Sequence, residues 1–537
     1  MRCRSSSYSH LPHQSKLFID YLEHFRRVAS FYSCPPKLAG AARIARSLKF
    51  PPERRKAVAA ILREQNAAFG MGSPAEKNLE RFEKGAVAVV TGQQVGLFSG
   101  PAYSLYKALT AVTVAGELSR AGIAAVPVFW LATEDHDLDE VRSAHWYARG
   151  QVMPLGLEAG AGGGRPVGRI ALGPEVAELV RRAGSALEGP GALSIASDLE
   201  ACYRPTDTYG SAFAKLFARL FEQDGLILLD PLDERLHRIA APLYRRAVED
   251  SGVLREKLVA RKRELDRGGY PAQVRVTSRS TLLFSLEAGL REAITEFGGK
   301  FQAGDKSYSR PELTQLAEEA PEKFSASALL RPALQDFLLP SAAYIGGPAE
   351  IAYYAQAAVV HEHLVGRMPA VLPRADFTLV DSKAAKLLEQ YALAPEDLWT
   401  GRQEVRSRME LRFVPATLAR DFGRSAKELE RALERLRGPI RKLDSTLEGA
   451  LDRARRAATF HLAKLQRKAG RSRELRENVL AAHEEYLHGL LYPKKQMQSR
   501  VLCALPFLAR WGTDLLRELK RFSGSRSLAA HHIIRVE

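Results

Sequence analysis

Cysteine is scarce and dispersed. The four in 537 residues, Cys3, Cys34, Cys202 and Cys503, form no C-x-x-C pair, which removes the usual nucleus of a zinc site and leaves no disulfide framework. No metal ligand set is expected. No run of about 18 uncharged apolar residues occurs, so no transmembrane helix is predicted. The first ten residues, MRCRSSSYSH, lack the apolar core of a signal peptide, and the expected compartment is the cytoplasm. Three nucleotide fingerprints are also missing: G-x-G-x-x-G behind a strand, the Walker A lysine motif and the HxGH of class I adenylating enzymes. Acidic residues are outnumbered, with Lys+Arg 79 against Asp+Glu 62 and a net charge of +17. That excess suits nucleic acid, a membrane surface or small anions. Its distribution separates them: arginine and lysine alternate with alanine and leucine in helical stretches such as Arg453–Arg476, and no basic block is interleaved with aromatics as in single-strand binders. Nucleic acid is therefore placed second.

What is present is a globular chain, 46% hydrophobic, organised around Ala86–Val141. Ala86–Thr91 is valine-rich and uncharged, which suits a strand buried on both faces. After a glycine-rich loop, Gly100-Pro101 opens a helix with Leu105, Ala108, Leu109, Val112 and Leu118 on one face, and Gly122 ends it. Ala125–Ala132 reads as a second buried strand. Strand, helix and strand in so short a span predict a parallel crossover and half of a Rossmann-like sheet.

Two polar clusters then fall at the carboxyl ends of neighbouring strands, where open α/β sheets bind ligands. Thr91-Gly92-Gln93-Gln94, with the helix start at Gly100 and with Tyr103 and Lys107 early in the helix, offers backbone N–H groups to a phosphate or carboxylate. Thr133-Glu134-Asp135-His136-Asp137 packs carboxylates around an imidazole, which suits acid–base work, an ammonium group or a divalent metal. The competing reading has Asp137, Asp139 and Glu140 solvating a loop and capping the next helix. It is preferred for Asp139 and Glu140, and function is preferred for Glu134, Asp135 and His136. His136 is then the expected proton-transfer group, with Glu134 and Asp135 holding a substrate ammonium. Leu338–Tyr354 echoes the first site: Gly346-Gly347-Pro348 starts a helix bearing Glu350 and Tyr354, and a strand at Ala370–Pro373 exits at Arg374. Two helix starts built alike could face one ligand pocket, the alternative being that Gly-Pro is merely a good helix opener.

Elsewhere, Ser15–Tyr32 reads as one helix capped by Ser15, Glu53–Ala68 as another, and Met71–Pro74 as a turn. Leu157–Gly173, with Gly160, Gly162, Gly163 and Gly164, is loop or hairpin, followed by a helix at Pro174–Ala183 and a loose run at Gly184–Gly191. Tyr209–Phe221 and Gly225–Pro231 supply a core helix and a third strand, and Leu232–Ala260 is helical. A second insertion holds short β runs at Ala272–Val276 and Thr281–Leu286 and a small helix at Asp305–Ala320. Beyond Asp381, Leu429, Leu433, Leu436, Ile440, Leu443, Leu447, Ala450 and Ala454 alternate steps of four and three, the seam of a coiled coil. Gly438-Pro439 interrupts it and Gly470 turns it, giving a protruding helical hairpin. The expected fold class is α/β: a Rossmann-like parallel-sheet core (residues 1–150, 209–255 and 331–380), two connecting insertions (151–208 and 256–330), an α-helical coiled-coil domain (381–492) and a C-terminal segment packing on the core (493–537).

At TGQQVGLFSGPAYSLYK, PVFWLATEDHDLDEV and RPALQDFLLPSAAYIGGPAEIAYY with MPAVLPRADFTLV after it, the chain resembles the bacillithiol synthase family, the BshC-type cysteine ligases, from about Ser15 to the region of Arg500. The resemblance implies a Rossmann-like core with two connecting insertions and a coiled coil that mediates dimerisation. It also implies a reaction joining cysteine to the amino group of glucosaminyl-malate, which yields the low-molecular-weight thiol bacillithiol. It carries over no catalytic residues, and at Leu491–Arg500 Lys495 and Ser499 replace the family's glycine and glutamate. Amide formation needs an activated carboxylate; the core suits an adenine nucleotide, ATP or ADP, though no motif decides its use. The expected partners are cysteine, glucosaminyl-malate and a second copy of the chain, with no membrane. The alternative is a basic coiled-coil protein that binds nucleic acid or acts as a scaffold without catalysis.

Overall fold

Five strands form the central sheet in the computed structural model, which describes residues 2–158, 163–477 and 479–536. They are β1 (Val87–Gln93), β2 (Ala125–Leu131), β3 (Ile227–Leu229), β4 (Ser341–Gly346) and β5 (Ala370–Pro373), in spatial order 5-4-1-2-3. Every neighbouring pair is parallel. Val87 faces Ala125, and the two strands stay in step to Gln93 and Leu131. Nearly every residue of these strands is buried, which is why they read as continuous apolar runs. The chain moves outward from β1 through β2 to β3, then returns to the other side of β1 for β4 and β5. The topological switch point therefore lies between β1 and β4, where such sheets bind ligands. Two helices lead away from it, α1 (Tyr103–Arg120) after β1 and α2 (Pro348–Leu364) after β4.

The first insertion contains a β-hairpin, Ser143–Ala148 with Gln151–Gly156, and the helices Glu175–Ser185 and Ala192–Cys202. The second is built on an antiparallel five-stranded sheet of which Ser280–Ser285 and Glu292–Phe297 are central members. A third sheet joins the N-terminal strand Arg2–Ser7 to Ala530–Arg535 and Asp376–Val380. Leu502, Leu505, Phe507, Leu508, Leu515 and Leu519 are all buried, as expected of a C-terminal segment that folds back. The contacts divide the chain into two units, Met1–Leu379 with Gln496–Val536, and Val380–Lys495.

Several local expectations need correction. The helix begun at Ser15 stops at Glu23, and two short 3-10 turns follow; they let Val28, Phe31 and Tyr32 all turn inward. The turn expected at Met71–Pro74 is the entry to a further helix, Ser73–Glu83, which buries Leu79 and Phe82. Residues 272–276 form no strand, because the N–H groups of Gln273 and Val274 donate to the Gln356 side chain instead of to a ladder. Gly160 and Gly162 lie outside the described residues. In the helical unit, Ala416–Leu443 runs through Pro439 without a break, and the reversal falls at Asp444–Leu447, before Glu448–Glu477. The apolar seam thus spans a turn and belongs to two helices. Gly470 is no turn either: a Cβ there would lie 2.2 Å from the Glu410 carbonyl oxygen, so glycine permits a close helix approach.

Gly92, near the end of β1, has the same kind of constraint, since an added Cβ would lie 2.7 Å from the Trp130 carbonyl oxygen on β2. Gly92→Ala should lower the unfolding free energy by about 1–3 kcal/mol through overpacking. Denaturant unfolding reads this directly, and a fully stable variant would mean that the two strand ends separate at no cost.

Candidate active site

A cavity of ≈ 630 Å³ opens beside the carboxyl ends of β1, β2 and β4, within the usual size range of small-molecule sites. β1 and its exit supply Gly92, Gln93 and Gln94, α1 supplies Tyr103 and Lys107, and the loop after β2 supplies Glu134 and Asp135. The start of α2 adds Gly347 and Glu350, and the exit of β5 adds Arg374. The two clusters far apart in sequence, around residues 92 and 347, therefore meet in one space.

Other expected residues lie off this lining. Thr91 is buried beneath it, and its hydroxyl donates to the Ile345 carbonyl at 2.9 Å, stitching β1 to β4. The Gly100 N–H donates to the Leu97 carbonyl at 2.9 Å, and the Gly346 carbonyl accepts from the Arg374 N–H at 2.8 Å. Tyr354 stacks on Tyr344 behind the wall, with centroids 4.6 Å apart. His136 and Asp137 line a shallower depression that shares Asp135 and Glu140 with the cavity. Arg291 Nη1 sits 3.1 Å from His136 Nδ1; a guanidinium only donates, so that ring nitrogen accepts. Asp137 caps Leu138–Val141 by accepting from the Glu140 N–H. Asp139 pairs with Arg142 at the surface, and Glu140 stands exposed in the first turn of that helix. Its side chain also borders the cavity, where partial desolvation and the neighbouring Asp135 and Asp137 raise its pKa.

The polar floor is dense. Lys107, 1% exposed, pairs with Glu350 at 2.5 Å and donates to the Gly92 carbonyl and to Gln93 Oε1. Glu350 also accepts from the Gly347 N–H at 2.7 Å and from the Tyr344 hydroxyl. Burial alone would push the Glu350 carboxyl up, but Lys107 and these donors hold it below its ordinary value. The amides at Gly100 and Gly347 are thus both bonded to protein acceptors, and cationic side chains face the cavity in their place. Arg374 is one: its Nη1 donates to Asp376 at 2.6 Å, and its guanidinium lies 5.5 Å from the Tyr103 ring centre. Glu134 differs from all of these. It is buried, its Oε1 has no hydrogen-bond partner among the described residues, and desolvation pushes its pKa up to about 8 against the pull of Arg291.

Sequence reasoning missed Arg331, Tyr353, Arg500 and Arg291, all on the lining. Arg331 and Tyr353 sit inside a motif quoted above, and Arg331 donates to the Tyr353 hydroxyl at 2.8 Å; no spacing rule singles out a lone arginine. The second insertion supplies an apolar wall that includes Leu282, Phe284 and Ile294. Its contribution depends on long-range folding that periodicity does not reveal. Among the described residues no His, Cys, Asp and Glu side chains gather as a metal cage, and no helix is long and apolar enough to cross a membrane.

Residues 1–375 match the N-terminal Rossmann-like domain of bacillithiol biosynthesis BshC, and residues 377–536 match its C-terminal coiled-coil domain. The chain belongs to the BshC family of bacillithiol biosynthesis. Proteins named "Putative cysteine ligase BshC" from Koribacter versatilis and Solibacter usitatus are 39% and 40% identical to it over 528 and 524 residues, covering 98% and 96% of each chain. One of the same name from Salinibacter ruber is 33% identical over 532 residues, covering 97% of this chain and 96% of its own. The family match extends to the segment before Ser15 and well past Arg500, beyond the expected limits. The two matched domains agree with the parallel-sheet core and the helical region described above.

Lys107→Met would leave Glu350 buried without its cation, and breaking such a pair costs about 3–5 kcal/mol. The double variant with Glu350→Gln should recover part of that loss in denaturant unfolding. A single-variant cost below about 1 kcal/mol, the scale of an exposed pair, would show that the pair is not structurally important.

Proposed function

We propose that this cavity is the site of a ligase that joins the carboxyl group of cysteine to the amino group of glucosaminyl-malate. The observation that carries the proposal is the mixed charge gathered around one small-molecule-sized cavity. Lys107, Arg291, Arg331, Arg374 and Arg500 line it together with Glu134, Asp135, Glu140 and Glu350. Two substrates that each bear both amine and carboxylate groups need such a site; a nucleic acid needs an open positive surface. The relatives' names point the same way.

In this reading the arginines hold substrate carboxylates, Lys107 is taken up by Glu350, Gly92 and Gln93, and the acids after β2 hold and deprotonate the amine. A free carboxylate is a poor acyl donor, so a nucleoside triphosphate serves as co-substrate, and its phosphate or nucleotide leaves with the carboxyl oxygen. The arginines that would orient the anions are held by buried partners such as Asp376 and Tyr353, which favours a fixed reactive geometry. Incubation with cysteine, glucosaminyl-malate and ATP should yield a thiol product of the condensed mass, and omission of ATP should abolish it. Failure to form product in the presence of ATP would overturn the proposal.

The helical unit supports a second copy of the chain as the other partner. Leu436, Leu443 and Leu447 are 48%, 82% and 41% exposed, and Phe460 and Leu465 are each 56% exposed, a density of apolar surface that an isolated hairpin leaves uncovered. Part of the hairpin's positive charge is paired internally, as in Arg437 with Glu434 and Asp452. Replacing Leu436, Leu443 and Leu447 with lysine should convert a dimer to a monomer in sedimentation. Unchanged sedimentation would place the seam elsewhere.

A further inference from the structure

Glu134 stands apart from the other acids around the cavity. Asp135 accepts from the His136 N–H and from Gln94, and Glu350 is saturated by a lysine, an amide and a hydroxyl. Glu134 sits at the exit of β2, is 6% exposed, and lines the same cavity. Its Oε1 is buried with no hydrogen-bond partner among the described residues. The nearest group of opposite potential charge is His237 Nε2 at 3.6 Å, itself buried. A buried carboxyl oxygen without a donor is costly, and native structures usually satisfy such groups. One that borders a cavity is satisfied most simply by a hydrogen-bond donor on the ligand.

We propose that Glu134 is the catalytic base of the ligation, accepting the proton that the attacking amine loses as the carbon–nitrogen bond forms. The inference rests on the ligase reading above. In this step the neutral amine of glucosaminyl-malate attacks the carboxyl carbon of activated cysteine. The C–O bond to the phosphate or nucleotide leaving group breaks, and that group departs with the bonding pair. The surplus proton on nitrogen passes to the Glu134 carboxylate, which later returns it to the leaving group or to solvent. Glu134 is flanked by Arg291 from the second insertion, Arg169 from the first, and Asp230, His237 and Tyr244 from the region after β3, with Asp135 as its chain neighbour. Burial, with the nearby Asp230, outweighs the two arginines and the Ser325 hydroxyl that bonds the carboxyl, and pushes its pKa up to about 8, close to working pH, where a general base is most effective. Burial keeps the His237 imidazole below its ordinary range, so it stays neutral and supplies no fixed cation to hold Glu134 ionised. His136, the other candidate base in this loop, has one ring nitrogen accepting from Arg291 and lies outside the cavity lining.

The sign of the pH dependence follows. Folding raises the Glu134 pKa, so its contribution to stability is fully present below the unfolded value of about 4.3 and is lost as pH rises through about 8. Activity runs the other way, because only the carboxylate accepts a proton.

The test compares wild type with Glu134→Gln and Glu134→Asp. Thermal unfolding is followed from pH 5 to pH 9, calorimetric affinity for glucosaminyl-malate is measured, and product formation is followed against pH. The expected result is a Glu134→Gln variant that melts with wild type at low pH and above it at high pH. Its affinity should stay within a few-fold, and its kcat should fall about a hundredfold or more. The wild-type rise in rate through about pH 8 should disappear, and Glu134→Asp should restore part of it. A folded Glu134→Gln with turnover within a few-fold of wild type, or loss of the pH limb in His136→Ala with retention in Glu134→Gln, would overturn the assignment. Absence of product from wild type itself would instead overturn the ligase reading on which the assignment stands, and the melting comparison needs no turnover to be read.

Discussion

The ion pair between Lys107 and Glu350 is the interaction on which the arrangement of the site depends. Lys107 belongs to α1, which follows β1, and Glu350 belongs to α2, which follows β4. β1 and β4 are the strands on either side of the switch point, so the pair bridges the crevice at its root. Lysine also donates to the Gly92 carbonyl and Gln93, and glutamate accepts from the Gly347 N–H and Tyr344. Each charge thus satisfies backbone or side-chain groups from its own strand end, and buried charges are tolerated only under such conditions. One consequence is that the Gly347 N–H is used internally. The lysine, for its part, is taken up by Glu350 and the end of β1.

The same logic extends to the chain terminus. Arg374, at the exit of β5, is held by Asp376, and the second oxygen of Asp376 meets His531 Nδ1 at 3.1 Å on the C-terminal strand. Arg374 and His531 keep the Asp376 carboxyl well below the usual carboxylate range in spite of its burial. His531 in turn bonds the Thr378 hydroxyl at 2.9 Å. The three-stranded sheet formed by the two ends of the chain with Asp376–Val380 is therefore more than a cover for the core. Through Asp376 it helps to hold an arginine that lines the cavity.

The core was legible because burial on both faces leaves an unambiguous signature: the runs at Val87, Ala125, Ile227 and Ala370 contain almost nothing but apolar residues. Of the two Gly-Pro helix starts, the one at Gly347-Pro348 borders the cavity, whereas Gly100 and Pro101 lie off it and their helix reaches the lining through Tyr103 and Lys107. What the N–H groups at these starts do was not legible, because the destination of an N–H depends on its acceptor, Glu350 for Gly347. The apolar seam past Asp381 was visible, but the position of its reversal was not. Pro439 is tolerated inside a helix, and Gly470 serves a contact with Glu410, so the usual punctuation marks misled. Glu134 and His136 illustrate the limit most clearly. Adjacent positions in a loop can face an enclosed cavity or an outer depression, and nothing in the local pattern distinguishes them.

The glycine-rich loop after β1 shows how the fold sustains an arrangement that local chemistry disfavours. Phe98, Ser99 and Gly100 all have positive φ, at 51°, 78° and 64°. For the two non-glycine residues this costs on the order of 1–3 kcal/mol each, and it persists only where the surroundings impose it. Those surroundings come from two distant segments. The Ser99 N–H donates to the Tyr203 hydroxyl in the first insertion, and the Cys503 thiol donates to the Phe98 carbonyl at 3.0 Å. Ala102 N–H donates to the Leu502 carbonyl at 2.8 Å, and Phe98 packs edge-on against Trp146 and Tyr203. The loop so held sets where α1 begins, and therefore where Tyr103 and Lys107 stand relative to β4. The first insertion acts on the site through this loop, and the C-terminal segment does so as well as placing Arg500 on the lining, so the site's geometry is a property of the whole first unit and not of the strand ends alone.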